Sequence, residues 1–191
     1  SVNYSNRNNP AEAFANTLTS VKIFPYNVNR LFNLAEYYSR QNDEINCIKY
    51  LEKGLELEPT YLSARHNLAG AYDRTGQTEK AIVQLELLLQ AGQDKAKYLR
   101  KLVALYKKIG NLKKAIERAE ILIKIAPKDA DMLNSLALIY IEMKDHSKAE
   151  SLFLEAIKVD PKHHQALHNI GLITINRAVG LVNGQKLKEG I

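Results

Sequence analysis

The feature that most constrains this chain is a period of 34 residues. One column at this spacing is aromatic and another is aliphatic: Tyr4, Tyr38, Tyr72, Tyr106 and Tyr140, and Leu34, Leu68, Leu102, Leu136 and Ile170. A third column holds small residues, Ala13, Cys47, Ala81, Ala115 and Ala149, and a fourth holds Pro25, Pro59, Pro127 and Pro161, with Gln93 in the one remaining place. Several columns at one spacing predict a repeat protein in which each unit packs on its neighbours.

Each unit reads as two helices. In the unit that starts at Ala96, the apolar residues lie within a sector about 100° wide, which is a single buried stripe; they are Leu99, Leu102, Val103 and Tyr106. The second helix buries Ala115, Ala119 and Leu122 and stops before Pro127, because proline cannot continue a helix.

A turn is predicted between the two helices of each unit. Gly76 and Gly110 occupy the turn position in two units, and glycine readily adopts the left-handed conformation that ends a helix. Asn42 occupies the same position in the first full unit and tolerates that conformation less well than glycine. Lys144, in the last full unit, departs from the pattern.

Three stretches carry the resemblance to a known family: Leu34-Ala35-x-x-Tyr38, Leu68-Ala69-x-x-Tyr72-x-x-x-Gly76 and Ala149-x-x-x-Phe153-x-x-Ala156-x-x-x-x-Pro161. They resemble the tetratricopeptide repeat consensus, over roughly residues 1–177. The resemblance implies an all-α fold, a right-handed α-solenoid of antiparallel helix pairs. It also implies a protein-interaction function, although the family serves many unrelated assemblies.

The predicted repeats follow from the columns. Full repeats are expected at 28–61, 62–95, 96–129 and 130–163, with the end of a preceding repeat at 1–26 and a partial repeat and tail at 164–191. All are expected to form one solenoid domain. The first helix of the leading repeat is missing, which suggests a fragment of a longer protein. After Gly180 the repeat pattern gives way to a Gly- and Lys-containing tail.

The net charge of +6 is concentrated in one repeat. Residues 96–129 contain ten Lys and Arg against three Asp and Glu, a balance of +7. The repeats before it sum to −2 and 0, and the repeat after it sums to −2. Such a local excess indicates attraction of an anionic partner, although lysine is also common on solvated helix faces.

Sequence signatures of catalysis are absent. The chain has no GxGxxG, GxxxxGK[ST], GxSxG or HExxH motif, so an enzyme and a bound cofactor are not predicted. Cys47 lies in the small-residue column and is interpreted as a buried structural thiol. His164 and His168 have a helical chelating spacing but no evident third ligand beyond His163, so no metal site is predicted.

The resemblance also implies where a partner lies. In this family the first helices line a concave groove, and the matching positions are 2, 5, 6, 9, 12 and 13 of each repeat. In the fourth repeat these are Asp131, Asn134, Ser135, Leu138, Ile141 and Glu142. Position 6 forms a polar ladder of Asn33, Asn67, Lys101, Ser135 and Asn169, able to bond an extended backbone. The predicted peptide-binding residues are Asn33, Asn67, Lys97, Arg100, Lys101, Lys107 and Lys108.

Three functions remain open at this point. The leading hypothesis is a non-catalytic scaffold that binds a peptide or protein segment, of acidic character, in the groove. The alternative is a structural module that self-assembles through its uncapped terminal helices. Nucleic-acid binding through the basic repeat is less favoured, because Phe32 is the one groove-facing aromatic available for base stacking. No apolar run approaches the length of a membrane span, and the sequence does not indicate the compartment.

Overall fold

The computed structural model describes residues 15–16, 18–20, 23, 26–92 and 94–188, with side chains described as far as residue 179. Over this part of the chain the structure is helical and contains no strand, which confirms the predicted all-α class. Tyr4, Ala13, Pro25 and Gln93, which belong to the periodic columns, lie outside the described residues.

The helices from residue 28 onward alternate with short turns. They are α1 (Val28–Arg40), α2 (Glu44–Leu57), α3 (Leu62–Arg74), α4 (Thr78–Gln90), α5 (Lys95–Lys108), α6 (Leu112–Ile125), α7 (Ala130–Glu142), α8 (His146–Val159) and α9 (His164–Lys188). Turns of three residues join the two helices of each pair, which therefore run antiparallel.

The same turn closes the first helix of each full pair, and the tyrosine column sets its position. The carbonyl oxygen of Tyr106 accepts a hydrogen bond from the N–H of Asn111 at 2.8 Å, and Gly110 between them has a φ of 73°. This is the Schellman arrangement, which needs a left-handed residue at that place. Lys144 adopts the same conformation, with a φ of 62°, although no glycine is there. The repeat therefore imposes the turn even where the sequence departs from the pattern.

The residue that completes this turn also starts the next helix. The side chains of Asp43, Asn111 and Asp145 accept hydrogen bonds from backbone N–H groups of the first turn of α2, α6 and α8. A side-chain oxygen at this position satisfies a donor that has no partner within the helix. Gln77 holds the equivalent place before α4 and provides no such bond.

The helices form two compact units, Ser1–Gln93 and Asp94–Ile191. In the first unit α1 packs on α2, α2 on α3, and α3 on α4. In the second unit each helix from α5 to α9 packs on the next along the chain. The predicted stripe of the third repeat is buried, and so are the apolar residues of its second helix: Leu99, Leu102, Val103, Tyr106, Ala115, Ala119 and Leu122. The predicted helical register is thus confirmed for this repeat.

In three repeats, a lysine follows the tyrosine of the periodic column by eight residues. The ammonium groups of Lys80, Lys114 and Lys148 lie 5.2, 5.4 and 5.0 Å from the ring centres of the preceding column tyrosines. The spacing places a cation over an aromatic face, which is an attractive arrangement. In the first full repeat Asn46 replaces the lysine, and Tyr38 stacks on Tyr50 instead, with the ring centres 5.6 Å apart.

The last helix differs from the prediction. The sequence predicted a tail after Gly180, whereas α9 continues without a break to Lys188. No proline follows Pro161, and an isolated glycine within a helix costs only about 1 kcal/mol. Nothing in this segment therefore forces a turn. No described helix combines the length and the apolar character needed to cross a membrane.

Candidate peptide-binding surface

The five predicted cations of the third repeat all lie on α5, in the second unit. Lys97, Arg100, Lys101 and Lys108 are exposed, and Lys107 is half-buried. The ammonium group of Lys97 lies 6.0 Å from the ring centre of buried Tyr98. These five residues are called the cationic surface below.

Arg100 is held in place by an acidic residue of the next repeat. Its Nε and Nη2 donate to one carboxylate oxygen, Oδ2, of Asp129, at 3.0 and 2.5 Å. The other oxygen, Oδ1, accepts a hydrogen bond from the N–H of Met132 at 3.0 Å and so caps α7. The Asp129 side chain is only 8% exposed, which reduces the screening of this pair by water. Arg100 therefore links α5 to the start of α7.

A second acidic residue reduces the charge at the other end of the cationic surface. The ammonium group of Lys107 lies 2.9 Å from a carboxylate oxygen of Glu142, at the end of α7. The sequence does not distinguish the five cations, whereas in the structure Arg100 and Lys107 already have acidic partners. Lys101 makes no ion pair with any described residue. The charges of Lys97 and Lys101 therefore remain available to an approaching anion.

The polar ladder at position 6 is only partly open. Asn33 on α1 and Asn67 on α3 are exposed, within the first unit. In the second unit, Ser135 donates its hydroxyl to the Asp131 carbonyl oxygen of its own helix at 2.7 Å. The Asn169 amide donates to Oδ1 of Asn134 at 3.2 Å. Ser135 and Asn169 thus each already use a hydrogen-bond donor within the protein.

Two groove-facing expectations are corrected by packing. Asn134 is buried rather than open to the groove, because the amide groups of Asn169 and Gln165 on α9 contact it. Phe32 is half-buried and stacks on Tyr61, with the ring centres 4.7 Å apart. In both cases the neighbour comes from about one repeat further along the chain. The position of a residue within its own repeat therefore does not decide whether its side chain is open to a partner.

An apolar cavity of about 460 Å³ opens between α7, α8 and α9, and sequence reasoning did not predict it. Leu138 and Ile141 contribute from α7, Phe153 from α8, and Leu172 and Ile173 from α9. The sequence signal was available: groove positions 9 and 12 are polar or small in the first three full repeats, and both become large and aliphatic in the fourth.

The histidines near α9 are structural or exposed. Nδ1 of His163 accepts a hydrogen bond from the Ala166 N–H at 3.1 Å, and its Nε2 lies 3.1 Å from Oδ1 of Asp131. Because Nδ1 is an acceptor, the proton lies on Nε2, which donates to Asp131. His164 and His168 are exposed. Among the described residues, no three His, Cys, Asp or Glu side chains are grouped so that they could hold a metal ion.

The thiol of Cys47 is buried, with 2% of the residue exposed, as the small-residue column predicted. Burial raises the pKa of this thiol, the nearby carboxylate of Glu44 raises it further, and Arg74 lowers it. A protonated, inaccessible thiol is a poor nucleophile, so this residue has the properties of a packing residue.

Comparison with known proteins identifies the repeats. Two family profiles, both described as tetratricopeptide repeat, match this chain, one over residues 48–106 and the other over residues 28–61 and 130–163. Together they cover more than half of the chain. No curated protein matches the sequence.

Solved structures with the same fold include several of MamA. One crystal structure of MamA is 25% identical and covers 82% of this chain and 91% of its own, with a TM-score of 0.66. A MamA structure from Desulfovibrio magneticus is 17% identical and covers 85% of this chain and 92% of its own, also with a TM-score of 0.66. A tetratricopeptide repeat protein from Parabacteroides merdae is 19% identical and covers 79% of this chain and 60% of its own, with a TM-score of 0.70. These similarities establish the fold.

Proposed function

This chain belongs to the tetratricopeptide repeat family, and we propose that it is a non-catalytic scaffold that binds an acidic peptide or protein segment along its first helices. Proteins of this family generally act as protein-interaction scaffolds. The acidic preference is supported by the concentration of positive charge in residues 96–129, five of whose ten cations lie on helix α5.

The cations have different roles in this proposal. Lys97 and Lys101 supply long-range attraction, because clustered unpaired charge raises the association rate of an opposite charge. Arg100 supplies a pre-oriented donor: Nε and Nη2 bind Asp129, and Nη1 is left for a carboxylate of the partner. A side chain already held in place loses less conformational freedom on binding. Lys107 and Lys108 extend the cationic surface along the same helix.

The exposed asparagines can form hydrogen bonds with the backbone of the partner. An amide side chain offers both a donor and an acceptor, so it matches the alternating N–H and C=O groups of an extended peptide. Asn33 and Asn67 are exposed on successive first helices of the first unit. We propose that they bind the backbone of an extended segment without selecting its sequence.

The test is a charge reversal of the two unpaired lysines, Lys97→Glu and Lys101→Glu together. The matched control is Lys113→Glu with Lys124→Glu, which changes the net charge equally on exposed positions of α6. Binding of a fluorescent peptide rich in Glu and Asp is measured by anisotropy at low salt. The α5 variant is expected to bind about tenfold more weakly than wild type, mainly through a slower association rate, and the α6 variant much less so.

Three results would contradict this proposal. Equal affinity of the α5 variant and wild type at low salt would mean that α5 carries only solvated lysines. Equal weakening by both variants would mean that net charge, rather than this surface, attracts the peptide. Preference for a single-stranded RNA of the same charge over the peptide, with a steep loss on addition of salt, would favour nucleic-acid binding instead.

A second candidate function is self-assembly through the last helix. Leu167, Ile175 and Val179 on α9 are 42%, 59% and 52% exposed, and apolar exposure of this kind marks interfaces. Sedimentation tests it: Ile175→Glu with Val179→Glu is expected to lower the apparent mass. His164→Glu with His168→Glu adds the same number of carboxylates to exposed sites on α9 and is expected to have no effect. A wild-type chain that is monomeric at high concentration excludes this function.

A further inference from the structure

The apolar cavity between α7, α8 and α9 is lined mainly by aliphatic and aromatic side chains. Phe153 is fully buried, and Leu138 and Ile141 are half-buried beside it. Leu172 of α9 also lines the cavity and is 46% exposed. A volume of about 460 Å³ lies in the range of sites that hold small ligands. The cavity is therefore large enough for a bulky side chain and has mainly carbon atoms on its walls.

The cavity results from a local change in the repeat. Position 9 reads Glu36, Gly70 and Ala104 in the first three full repeats, and position 12 reads Ser39, Asp73 and Lys107. Leu138 and Ile141 occupy these positions in the fourth repeat, and Leu172 and Ile175 occupy them in the last. The groove-facing positions thus change from polar or small to aliphatic over the last two first helices. Packing of the repeat does not require this change, because the preceding repeats form without it.

Polar side chains also line the cavity, and two of them are held by neighbouring helices. Arg177 binds the carboxylate of Glu150 through two nitrogens, which ties α9 to α8. Asn169 donates to buried Asn134, which ties α9 to α7. Asn169 and Asn176 both line the cavity, and amide groups of this kind can bond the backbone of a chain that enters it.

The cavity adjoins the cationic surface. Glu142 directly follows Ile141 of the cavity and pairs with Lys107 of α5 at 2.9 Å. The last turn of α5, which carries Lys107, therefore lies beside the end of α7 that contributes Ile141 to the cavity. Lys101 lies six residues before Lys107 on α5, which is about 9 Å along the helix. An extended peptide rises about 3.3 Å per residue, so a spacer of about four residues covers this offset together with the step across to the cavity.

We propose that this cavity binds one bulky apolar side chain, Phe, Leu or Met, of the same acidic segment that the cationic surface attracts. The inference rests on the proposed function and specifies its partner: an acidic run with an apolar anchor about four residues away. Charge attracts the segment to α5, and burial of the anchor between α7 and α9 fixes its register. Most of the binding energy of an interface commonly comes from such central, well-packed anchors.

The probes are two synthetic peptides that differ at one position. Each carries a run of Glu and Asp, and about four residues further on one has Phe and the other has Ala, with both chain directions tested. Affinity is measured by anisotropy, and methyl NMR of the full chain follows Leu138, Ile141, Leu172 and Ile173. The Phe peptide is expected to bind about tenfold or more tightly than the Ala peptide, since burial of an aromatic side chain contributes at least that factor. It alone should shift these methyl signals.

The variant is Leu172→Ser, and Ile175→Ser is its matched control. Both residues are exposed aliphatic residues of α9, but only Leu172 lines the cavity. The preference for Phe over Ala should fall several-fold in Leu172→Ser and stay unchanged in Ile175→Ser. An equal loss of the preference for Phe in both variants would contradict the anchor site, because it would indicate binding to a general apolar face of α9.

The outcomes separate the two proposals. If both peptides bind equally, depend on Lys97 and Lys101, and leave the cavity methyls unshifted, the anchor site is wrong and the acidic scaffold stands. If neither peptide binds, both are wrong. If the cavity methyl signals shift with protein concentration in the absence of peptide, a second copy of this chain occupies the cavity. That result would also contradict the proposed anchor site.

Discussion

The ring of Phe32 on α1 packs against the backbone of Gly54 on α2 so closely that no side chain fits on the glycine. A Cβ at Gly54 would lie 2.8 Å from Cδ1 of the ring, which is below any normal contact. The ring also stacks on Tyr61, and a shift of the ring would disturb this contact. It therefore cannot simply move away.

We expect Gly54→Ala to lower the free energy of unfolding by about 1–3 kcal/mol, the usual cost of overpacking. Gly70→Ala is the control, because its Cβ would meet only the flexible end of Arg74 at 3.3 Å. There the better helix propensity of alanine should raise stability by about 0.5–1 kcal/mol. Urea denaturation followed by circular dichroism measures both, and a neutral Gly54→Ala would mean that Phe32 has another position.

Replacement of Lys144 by glycine should stabilise the protein. Its φ of 62° is a conformation that costs a non-glycine residue about 1 kcal/mol or more. Lys144→Gly is therefore expected to raise the free energy of unfolding by roughly that amount. Gly110→Ala, at the equivalent turn with a φ of 73°, should lower it. Equal effects of the two substitutions would argue against a shared turn.

Truncation of the inward leucines tests the core. Leu102 and Leu136 are 0% and 3% exposed, so Leu102→Ala and Leu136→Ala should each cost about 2–5 kcal/mol. Leu154→Ala, at a residue that is 53% exposed, should cost less than about 0.5 kcal/mol. Hydrogen exchange should show the loss concentrated in the adjacent helices, since repeats are stabilised by their neighbours. A uniform loss of protection from exchange over the whole chain would contradict stabilisation by neighbouring repeats.

The helix caps predict a pH dependence. Hydrogen bonds from the side chain and backbone of Asn46 lower the pKa of Asp43, and a hydrogen bond from the backbone of Lys148 lowers the pKa of Asp145. Because these pKa values are lower in the folded state, the caps stabilise the fold above the ordinary aspartate pKa of about 4, and this is lost as the pH falls through the folded-state pKa values.

The double substitution Asp43→Ala, Asp145→Ala should therefore lower the melting temperature at neutral pH, and its difference from wild type should shrink in acid. Asn111→Ala removes a cap of the same geometry that does not titrate in this range. Its difference from wild type should be independent of pH. A constant difference for the aspartate variant would mean that its charge does not contribute to capping.

Arg100 and Lys101 are neighbours that should respond differently to charge reversal. Arg100→Glu places a carboxylate beside Asp129, whose side chain is only 8% exposed, and removes a link from α5 to α7. We expect a loss of about 0.5–1 kcal/mol, since the arginine itself is half exposed. Lys101→Glu should leave the melting temperature nearly unchanged. Equal melting temperatures for the two variants would show that the Asp129 contact contributes nothing to stability.

The sequence by itself determined the repeat, its helices and its core. The equivalence of residues 34 apart is enough to predict that Leu102 and Leu136 are inward and that position 15 of each repeat is a turn. These features are decided within one repeat, by the spacing of apolar residues around a helix and by the positions of glycine and proline. The prediction succeeded even at Asn42, whose φ is 58°.

Only the tertiary structure decided which groove positions are open and which charges are unpaired. Asn134 is covered by α9, Phe32 by Tyr61, and Arg100 is bound by Asp129, in each case by a residue about 30 positions further along the chain. A periodic pattern states which positions are equivalent, but the side chain that lies opposite each position differs from repeat to repeat. The apolar cavity has the same origin, since it exists only where α7, α8 and α9 each contribute apolar residues to one space.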